Sequence, residues 1–268
     1  PPPPPPPTFQ AEDGIRDSVN GLVGSEMCIR DRHKLRQWDV ISSFRVDQLI
    51  SNSRFTAHRI WRCWRRTSQV VHPPVAVERF RWDRPRGETY LSLCRLVPNK
   101  RVDLVVEAFN RTGLPLVVIG EGPELGRLKT IARSNIHFLG RCSDAEASHW
   151  LEQCRAYVYA GLEDFGIAPV EAMAAGAPVI AYGAGGIRDS IRCLNEDIAH
   201  PTGLLFPEQS VESLVAALQH FNQSRKWRTL SALGQREWAE NFSATHFRTR
   251  ISHLLEQAWD THRRRLAS

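Results

Sequence analysis

Residues 163–171 combine a turn, the start of a helix and two acidic side chains, and they read Glu163-Asp164-Phe165-Gly166-Ile167-Ala168-Pro169-Val170-Glu171. The preceding run Cys154–Gly161 (CRAYVYAG) is short and apolar, which predicts a buried strand. Pro169 fits the first turn of a helix, and Gly176 fits its end. Ala177–Ala181 (APVIA) predicts the next buried strand. A helix that starts between two such strands offers free N–H groups and a positive dipole end to an anionic ligand.

From Thr89 onward, predicted strands alternate with predicted helices, which indicates an α/β fold with a parallel sheet covered on both faces. The predicted strands are Tyr90–Leu96, Leu116–Ile119, Ile136–Leu139, Ala156–Ala160, Val179–Ala181 and Gly203–Phe206. The predicted helices are Arg101–Asn110, Glu124–Arg133, Asp144–Gln153, Pro169–Ala175, Ile187–Cys193, Val211–Phe221, Trp227–Asn241 and Ala244–Arg264. In sheets of this kind, ligands bind beyond the carboxyl ends of the strands.

The segment Glu163–Ile180, together with Gly185-Gly186, resembles the donor-binding motif of the retaining GT-B glycosyltransferases of family 4, also called the glycosyltransferase group 1 domain. That motif has two glutamates eight positions apart, a helix of small residues, a buried strand, and a Gly-Gly turn followed by an acidic residue, here Asp189. The resemblance leans toward mannosyltransferase-like members. It implies a Rossmann-like, doubly wound parallel sheet, the C-terminal donor domain of a GT-B fold. Asp164 departs from the family, which usually has glycine there.

Two further loops are expected at the carboxyl edge of the sheet. Arg95 and Lys100 match the R-x-x-x-x-K loop of the family, and two cations there can hold a diphosphate whose charge grows as it leaves. Two solvated surface cations are the alternative. Gly120 and Gly122 follow the second strand, where an ordinary turn is as good an interpretation as a loop that lines the cleft.

The loop after the third strand, with Gly140 and Arg141, is where the resemblance implies nucleobase binding. A solvated arginine is the alternative for Arg141.

The resemblance also implies a role for each residue of the acidic motif. Glu163, with Arg95 and Lys100, would be catalytic, lying near the donor sugar or its phosphate. Glu171 would accept hydrogen bonds from ribose hydroxyls; the alternative is a first-turn partner of the helix dipole, worth about 0.3–1 kcal/mol. The other implied donor-binding residues are Asp164, Phe165, Gly166, Ile167, Gly185 and Gly186. For Asp189 we expect a residue that caps the following helix or lies in solvent.

Composition limits the class of function. The net charge of +6 is spread along the chain, and no nucleic-acid-binding module is found, so nucleic acid is not an expected partner. The six cysteines and ten histidines show no metal-ligand spacing, and the resemblance implies no metal and no cofactor beyond the nucleotide sugar as donor substrate. No run of 18 apolar residues predicts a membrane span.

Because the sequence predicts no membrane span, we expect a cytoplasmic location. Peripheral contact with the inner face of the membrane is an open alternative, because one predicted helix carries arginines beside Trp61 and Trp64.

The first 32 residues do not fit a folded domain. Pro1–Pro7 is a proline tract, and Thr8–Arg32 has no sustained periodicity, which predicts disordered coil. Gln10–Asp17 and Ser25–Arg32 resemble translated sequencing adaptor, so we interpret residues 1–32 as an artefact joined to an N-terminally truncated protein. A genuine proline-rich arm is the alternative.

Four regions are expected. Residues 1–32 are disordered, 33–80 are a remnant of the acceptor domain with a linker, 81–241 bind the nucleotide sugar, and 242–268 form a C-terminal helix. The implied function is a glycosyltransferase fragment that transfers a hexosyl group from a nucleoside diphosphate sugar, with GDP-mannose as first guess, to a hydroxyl of a glycan or lipid-linked acceptor, with retention. The alternatives are an epimerase-like isomerase and a nucleotide-binding module without catalysis.

Overall fold

The structure is a computed structural model, which describes residues 22–196, 200–223 and 230–267, with side chains from residue 33 onward. The chain divides into two compact units. Unit 1 holds the residues up to Ile50 and Ala57–Gln69, and unit 2 holds Ser51–Thr56 and the chain from Val70 onward. Within the described residues, every buried apolar side chain belongs to unit 2, which therefore contains the hydrophobic core.

Helix α1 (Leu22–Ser43) includes residues that we expected to be coil. The expectation is wrong for residues 22–32, and the rest of the predicted coil, residues 8–21, lies outside the described residues together with the proline tract. No glycine or proline occurs between Ser25 and His72, so nothing in the sequence interrupts a helix there.

Helix α2 (Arg54–Trp64) begins at a serine cap, with Oγ of Ser53 accepting the N–H of Thr56 at 3.0 Å. Two short strands flank this helix, β1 (Ile50–Ser51) and β2 (Gln69–Val70). The side chain of Trp61 is 48% exposed and lies under the guanidinium of Arg65. Trp61 is therefore not packed into a core.

A six-stranded parallel sheet forms the centre of unit 2, with the order β5-β4-β3-β6-β7-β8. Its strands are β3 (Tyr90–Leu93), β4 (Leu116–Ile119), β5 (Ile136–Gly140), β6 (Tyr157–Tyr159), β7 (Val179–Tyr182) and β8 (Gly203–Phe206). The order reverses between β3 and β6, which are neighbours in the sheet, so the predicted doubly wound parallel sheet is confirmed.

Helices cover both faces of the sheet. They are α3 (Val102–Thr112), α4 (Leu125–Ile131), α5 (Asp144–Gln153), α6 (Ile167–Ala174), α7 (Ile187–Ser190), α8 (Val211–Gln223), α9 (Ala232–Ala239) and α10 (Ala244–Ala267). Single 3-10 turns occur at Val77–Arg79, Pro98–Lys100 and Glu240–Phe242. None of the helices in the described part of the chain combines the length and apolar character that a membrane crossing requires.

Successive strand residues alternate between the two cores, because side chains in a strand point to opposite faces. Tyr90 packs with Phe109 and Phe221 in one core, while Leu91 packs in the other, and both side chains are fully buried. Strands that are buried on both faces read as continuous apolar runs, which is why the sequence revealed them.

Helix α5 has the predicted bounds because its start is specified locally. Oγ of Ser143 accepts the N–H of Glu146 at 3.3 Å, and the carboxylate of Glu146 accepts the N–H of Ser143 at 2.8 Å. This reciprocal capping satisfies two N–H groups that the helix would otherwise leave unpaired.

Gly203 provides a test of the packing at the start of β8. A Cβ atom added there would lie 2.1 Å from the backbone oxygen of Val179 on the paired strand β7. Gly203→Ala should therefore lower the free energy of unfolding by about 1–3 kcal/mol.

Gly126→Ala is the matched control, because the space around Gly126 in α4 is open. It should leave the free energy unchanged or raise it by up to about 1 kcal/mol. Urea unfolding measures both changes, and equal stability of the two variants would contradict the tight β7–β8 contact.

Candidate functional site

The pairing of β3 with β6 brings together the loops that follow these strands. At this edge, Nζ of Lys100 and the hydroxyl of Tyr159 both donate to Oε1 of Glu163. The side chains of Lys100 and Glu163 are 22% and 23% exposed, so the ion pair is partly shielded from water. Among the described residues no group donates to Oε2 of Glu163. One carboxylate oxygen is thus held, and the other is available to a ligand.

Tyr159 was missed by the analysis of the sequence. It is the last residue of β6 and lies four positions before Glu163, where its hydroxyl reaches the carboxylate. Burial and this contact raise the pKa of Tyr159 far above its ordinary value, so the hydroxyl keeps its proton. A polar-tipped residue at the carboxyl end of an apolar strand is the signal that could have identified it.

Arg95 differs from Lys100 in its surroundings. Its side chain is exposed, and within the described part of the chain its guanidinium has no hydrogen-bond or ion-pair partner. The two cations of the predicted R-x-x-x-x-K loop are therefore one fixed ammonium and one free planar fork. Burial raises the pKa of the neighbouring Cys94 thiol to about 12, so this sulfur is neutral.

The Gly120–Gly122 turn supports the Arg95 loop. A Cβ atom would lie 1.9 Å from the oxygen of Cys94 if added at Gly120, and 2.2 Å from the oxygen of Leu96 if added at Gly122. Close backbone packing thus requires both glycines. Gly140 has φ = +70°, and its carbonyl accepts the N–H of Gly120 at 2.8 Å.

The Gly185-Gly186 turn supports the acidic loop in the same way. Gly185 has φ = +80°, and a Cβ atom there would lie 2.5 Å from the oxygen of Glu163. A Cβ atom at Gly186 would lie 1.9 Å from the backbone oxygen of Asp164, and the N–H of Gly186 donates to the backbone oxygen of Glu163 at 2.8 Å. The two motif segments are thus in direct backbone contact.

Helix α6 begins at Ile167, two residues earlier than predicted, after Gly166 with φ = +91°. The side chain of Phe165 is 3% exposed and packs against the rings of His72 and Phe242. Only its backbone could therefore contact a nucleotide sugar. Asp164 is partly buried and Ile167 is 47% exposed. Arg141 is exposed beyond β5, as in the solvated alternative.

Glu171 is the fifth residue of α6, and its side chain is 21% exposed. Because the dipole effect is confined to the first turn, its position argues against a purely electrostatic helix partner. Its Oε1 lies 3.6 Å from Nη2 of Arg79, and Nη1 of the same arginine lies 3.6 Å from Oδ2 of Asp144. Burial raises the pKa of Glu171, while Arg79 acts in the opposite direction. Arg79 is a second residue that the analysis of the sequence missed.

Both glutamates of the motif act on one buried hydroxyl. Burial raises the pKa of Tyr157 well above its ordinary value, and Glu171 and Glu163 are among the charges that add to the effect. The hydroxyl donates to the backbone oxygen of Leu93 at 2.8 Å.

Asp189 was expected to cap a helix or to lie in solvent, and both expectations are wrong. Its side chain is 4% exposed and bonded to Arg54 and His72. The described residues include no group of three histidine, cysteine, aspartate or glutamate side chains that could hold a metal ion.

The chain belongs to the family described as glycosyl transferases group 1, which matches residues 77–237, more than half of its length. The matched region contains the Lys100–Glu163 pair, Glu171 and both glycine turns. The predicted glycosyltransferase group 1 domain is thereby confirmed.

Two relatives carry mannosyltransferase names. The chain is 33% identical over 153 residues to a GDP-mannose-dependent alpha-mannosyltransferase of Mycobacterium tuberculosis, over 55% of this chain and 38% of the relative. It is 32% identical over 201 residues to a GDP-mannose-dependent alpha-(1-6)-phosphatidylinositol monomannoside mannosyltransferase of the same organism, over 63% and 50%. The chain thus spans half or less of the length of these relatives.

Solved structures show the same fold. Sucrose-phosphate synthase from Thermosynechococcus elongatus matches with a TM-score of 0.70 and 21% identity, over 90% of this chain and 65% of that one. Anabaena Alr3699/HepE, in complex with UDP and glucose, matches with a TM-score of 0.66 and 19% identity, over 84% and 67%. At such identities the comparison shows the GT-B fold alone.

The raised pKa of Glu171 has a consequence for stability. The folded chain holds this proton at pH values where the unfolded chain has released it, so stability falls as pH rises from the ordinary glutamate pKa of about 4.3 through the higher folded value. Glu171→Gln removes this loss. Its thermal midpoint, relative to that of the wild type, should therefore increase between acidic and neutral pH.

The exposed Glu107 on α3 provides the matched control. Glu107→Gln should keep a constant difference from wild type over the same pH range. A Glu171→Gln difference that is equally flat would contradict the burial of this carboxylate.

Proposed function

We propose that this chain carries the donor-binding part of a retaining glycosyltransferase that transfers a hexosyl group from a nucleoside diphosphate sugar to a hydroxyl of a glycan or lipid-linked acceptor. The observation that carries the proposal is the Lys100–Glu163 contact at the carboxyl edge of β3 and β6, with the exposed Arg95 five residues before Lys100 on the loop that follows β3. GDP-mannose is the proposed donor, because two relatives are named for their dependence on it. UDP-sugars are the competing donors to be tested.

Lys100 and Arg95 would bind the diphosphate. A departing nucleoside diphosphate gains negative charge, and cations that are already in place lower the barrier. The ammonium of Lys100 has three donors, so it can keep its contact with Glu163 and still bind a phosphate oxygen. The guanidinium of Arg95 offers a planar fork to a second oxygen.

The transfer would occur on one face of the sugar. The bond between the anomeric carbon and the diphosphate oxygen breaks, and its electron pair leaves with the diphosphate. The acceptor oxygen bonds to the same face of the anomeric carbon, while its proton passes to the departing phosphate oxygen. In this account side-chain cations balance the charge, so we propose no metal and no further cofactor.

A transfer assay with the purified chain tests the activity. GDP-mannose and UDP-sugars are supplied with and without oligosaccharide or lipid-linked acceptors, and the product linkage is read by NMR. The expected product keeps the anomeric configuration of the donor. Interconversion of the donor without any acceptor would favour the isomerase, and binding of nucleotide without turnover would favour the binding module.

Glu171→Ala tests the ribose assignment. In the wild type, GDP should bind more tightly than 2′,3′-dideoxy-GDP, because a carboxylate accepts hydrogen bonds from both hydroxyls. Glu171→Ala should remove that preference and weaken GDP binding by about tenfold or more. Isothermal titration measures both, with Glu107→Ala as the control. A preference that survives in the variant would refute the role.

Replacing both Arg95 and Lys100 by alanine tests the diphosphate assignment. The double variant should bind GDP at least about tenfold more weakly than the wild type does, while its affinity for guanosine should change much less. Only GDP carries the charged phosphate groups. The matched control removes two exposed cations elsewhere, Lys129 and Arg264. Equal loss for GDP and guanosine in the Arg95/Lys100 variant would overturn the assignment.

A further inference from the structure

Asp189 is a buried carboxylate with three polar contacts. Its Oδ2 accepts the backbone N–H of Arg54 at 2.8 Å and lies 3.1 Å from Nε2 of His72. Its Oδ1 accepts Nε of Arg54 at 3.0 Å. Burial raises the pKa of this carboxyl, but the contacts from His72 and Arg54 outweigh it and hold the pKa below the ordinary value. The carboxylate is therefore ionised and fixed in place.

His72 connects this carboxylate to the acidic loop. Its imidazole stacks on the ring of Phe165 with 5.4 Å between centroids, and it meets Phe242 edge-on at 5.3 Å. Phe165 is almost fully buried, so the ring contact is shielded from water. Stacked rings stabilise a fold by more than the burial of their surface alone, and they favour one relative orientation of the two rings. One imidazole thus contacts the 163–167 segment and the 185–189 segment at the same time.

The two segments are also joined through the backbone, by the N–H of Gly186 that donates to the oxygen of Glu163. Asp189 follows that glycine within α7, and Phe165 follows Glu163 by two residues. His72 therefore contacts the segment that carries Glu163 directly, through Phe165, and is joined to it indirectly, through Asp189 and the backbone of Gly186. The nucleotide roles implied by the family resemblance do not include His72.

We propose that His72 is a positioning residue of the donor site, which holds the Glu163 loop and the start of α6 in their binding geometry through Asp189 and Phe165. His72 itself contacts neither diphosphate nor sugar. The inference rests on the proposed function, since the loop it positions is the proposed donor loop.

Two substitutions separate the contacts of His72. His72→Phe keeps a ring against Phe165 and loses the bond to Asp189, whereas His72→Gln keeps a polar end and loses the ring. Each should raise the dissociation constant of GDP or UDP, whichever the wild type binds, by about tenfold, because a small misplacement of a binding loop weakens binding strongly. Isothermal titration well below the thermal midpoint of each variant measures the dissociation constant of folded protein. His149→Phe and His149→Gln, at an exposed position of α5, should leave it unchanged.

A double-mutant cycle tests the route through Phe165. If His72 acts through that ring, the variant with both His72→Gln and Phe165→Leu should lose no more nucleotide affinity than the more affected of the two single variants. Both substitutions remove the same contact. Losses that multiply would overturn this route.

A lower thermal midpoint with an unchanged dissociation constant would show that His72 serves stability alone, and it would overturn the proposal while leaving the proposed function intact. A wild type that binds neither GDP nor UDP would overturn both.

Discussion

The candidate site depends on the parallel pairing of β3 with β6. Two other strands, β4 and β5, lie between them in the chain, yet the carboxyl ends of β3 and β6 lie side by side in the sheet. The pairing places the loop of Lys100 against the loop of Glu163, and the hydroxyl of Tyr159 at the end of β6 completes the contact. The glycine turns then fit against these loops by backbone contact alone. A shift in this register would separate the cation from the carboxylate.

Much of the fold could be predicted from the sequence, because its signals are local. The bounds of β4, β8 and α5 are as expected, since apolar runs and a serine cap define them within a few residues. β3 ends at Leu93 rather than at Leu96, because the chain beyond it bonds to the Gly120–Gly122 turn, with the N–H of Leu96 donating to the oxygen of Glu121 at 2.8 Å. Boundaries set by distant partners are not visible in a local pattern.

The same distinction holds for the site. The motif spacing predicted that Lys100 and Glu163 lie at one edge of the sheet, and the structure brings them together. It did not predict that Arg79 would pair with Glu171, or that Arg54 and His72 would bury Asp189. These partners come from segments that precede the sheet, and their residue types fit a solvated surface equally well. The roles of the site residues in donor binding remain predictions.

The contacts that hold this edge of the sheet join residues far apart along the chain. Lys100 and Glu163 are separated by 63 positions, His72 and Asp189 by 117, and Arg54 and Asp189 by 135. Closing such loops costs chain entropy, which the contacts of the folded edge must offset. A nascent or partly unfolded chain therefore lacks the arrangement on which the proposed nucleotide site depends. If a nucleotide binds there as proposed, then by mass action a cell rich in that nucleotide would keep more of the protein folded and shielded from proteases.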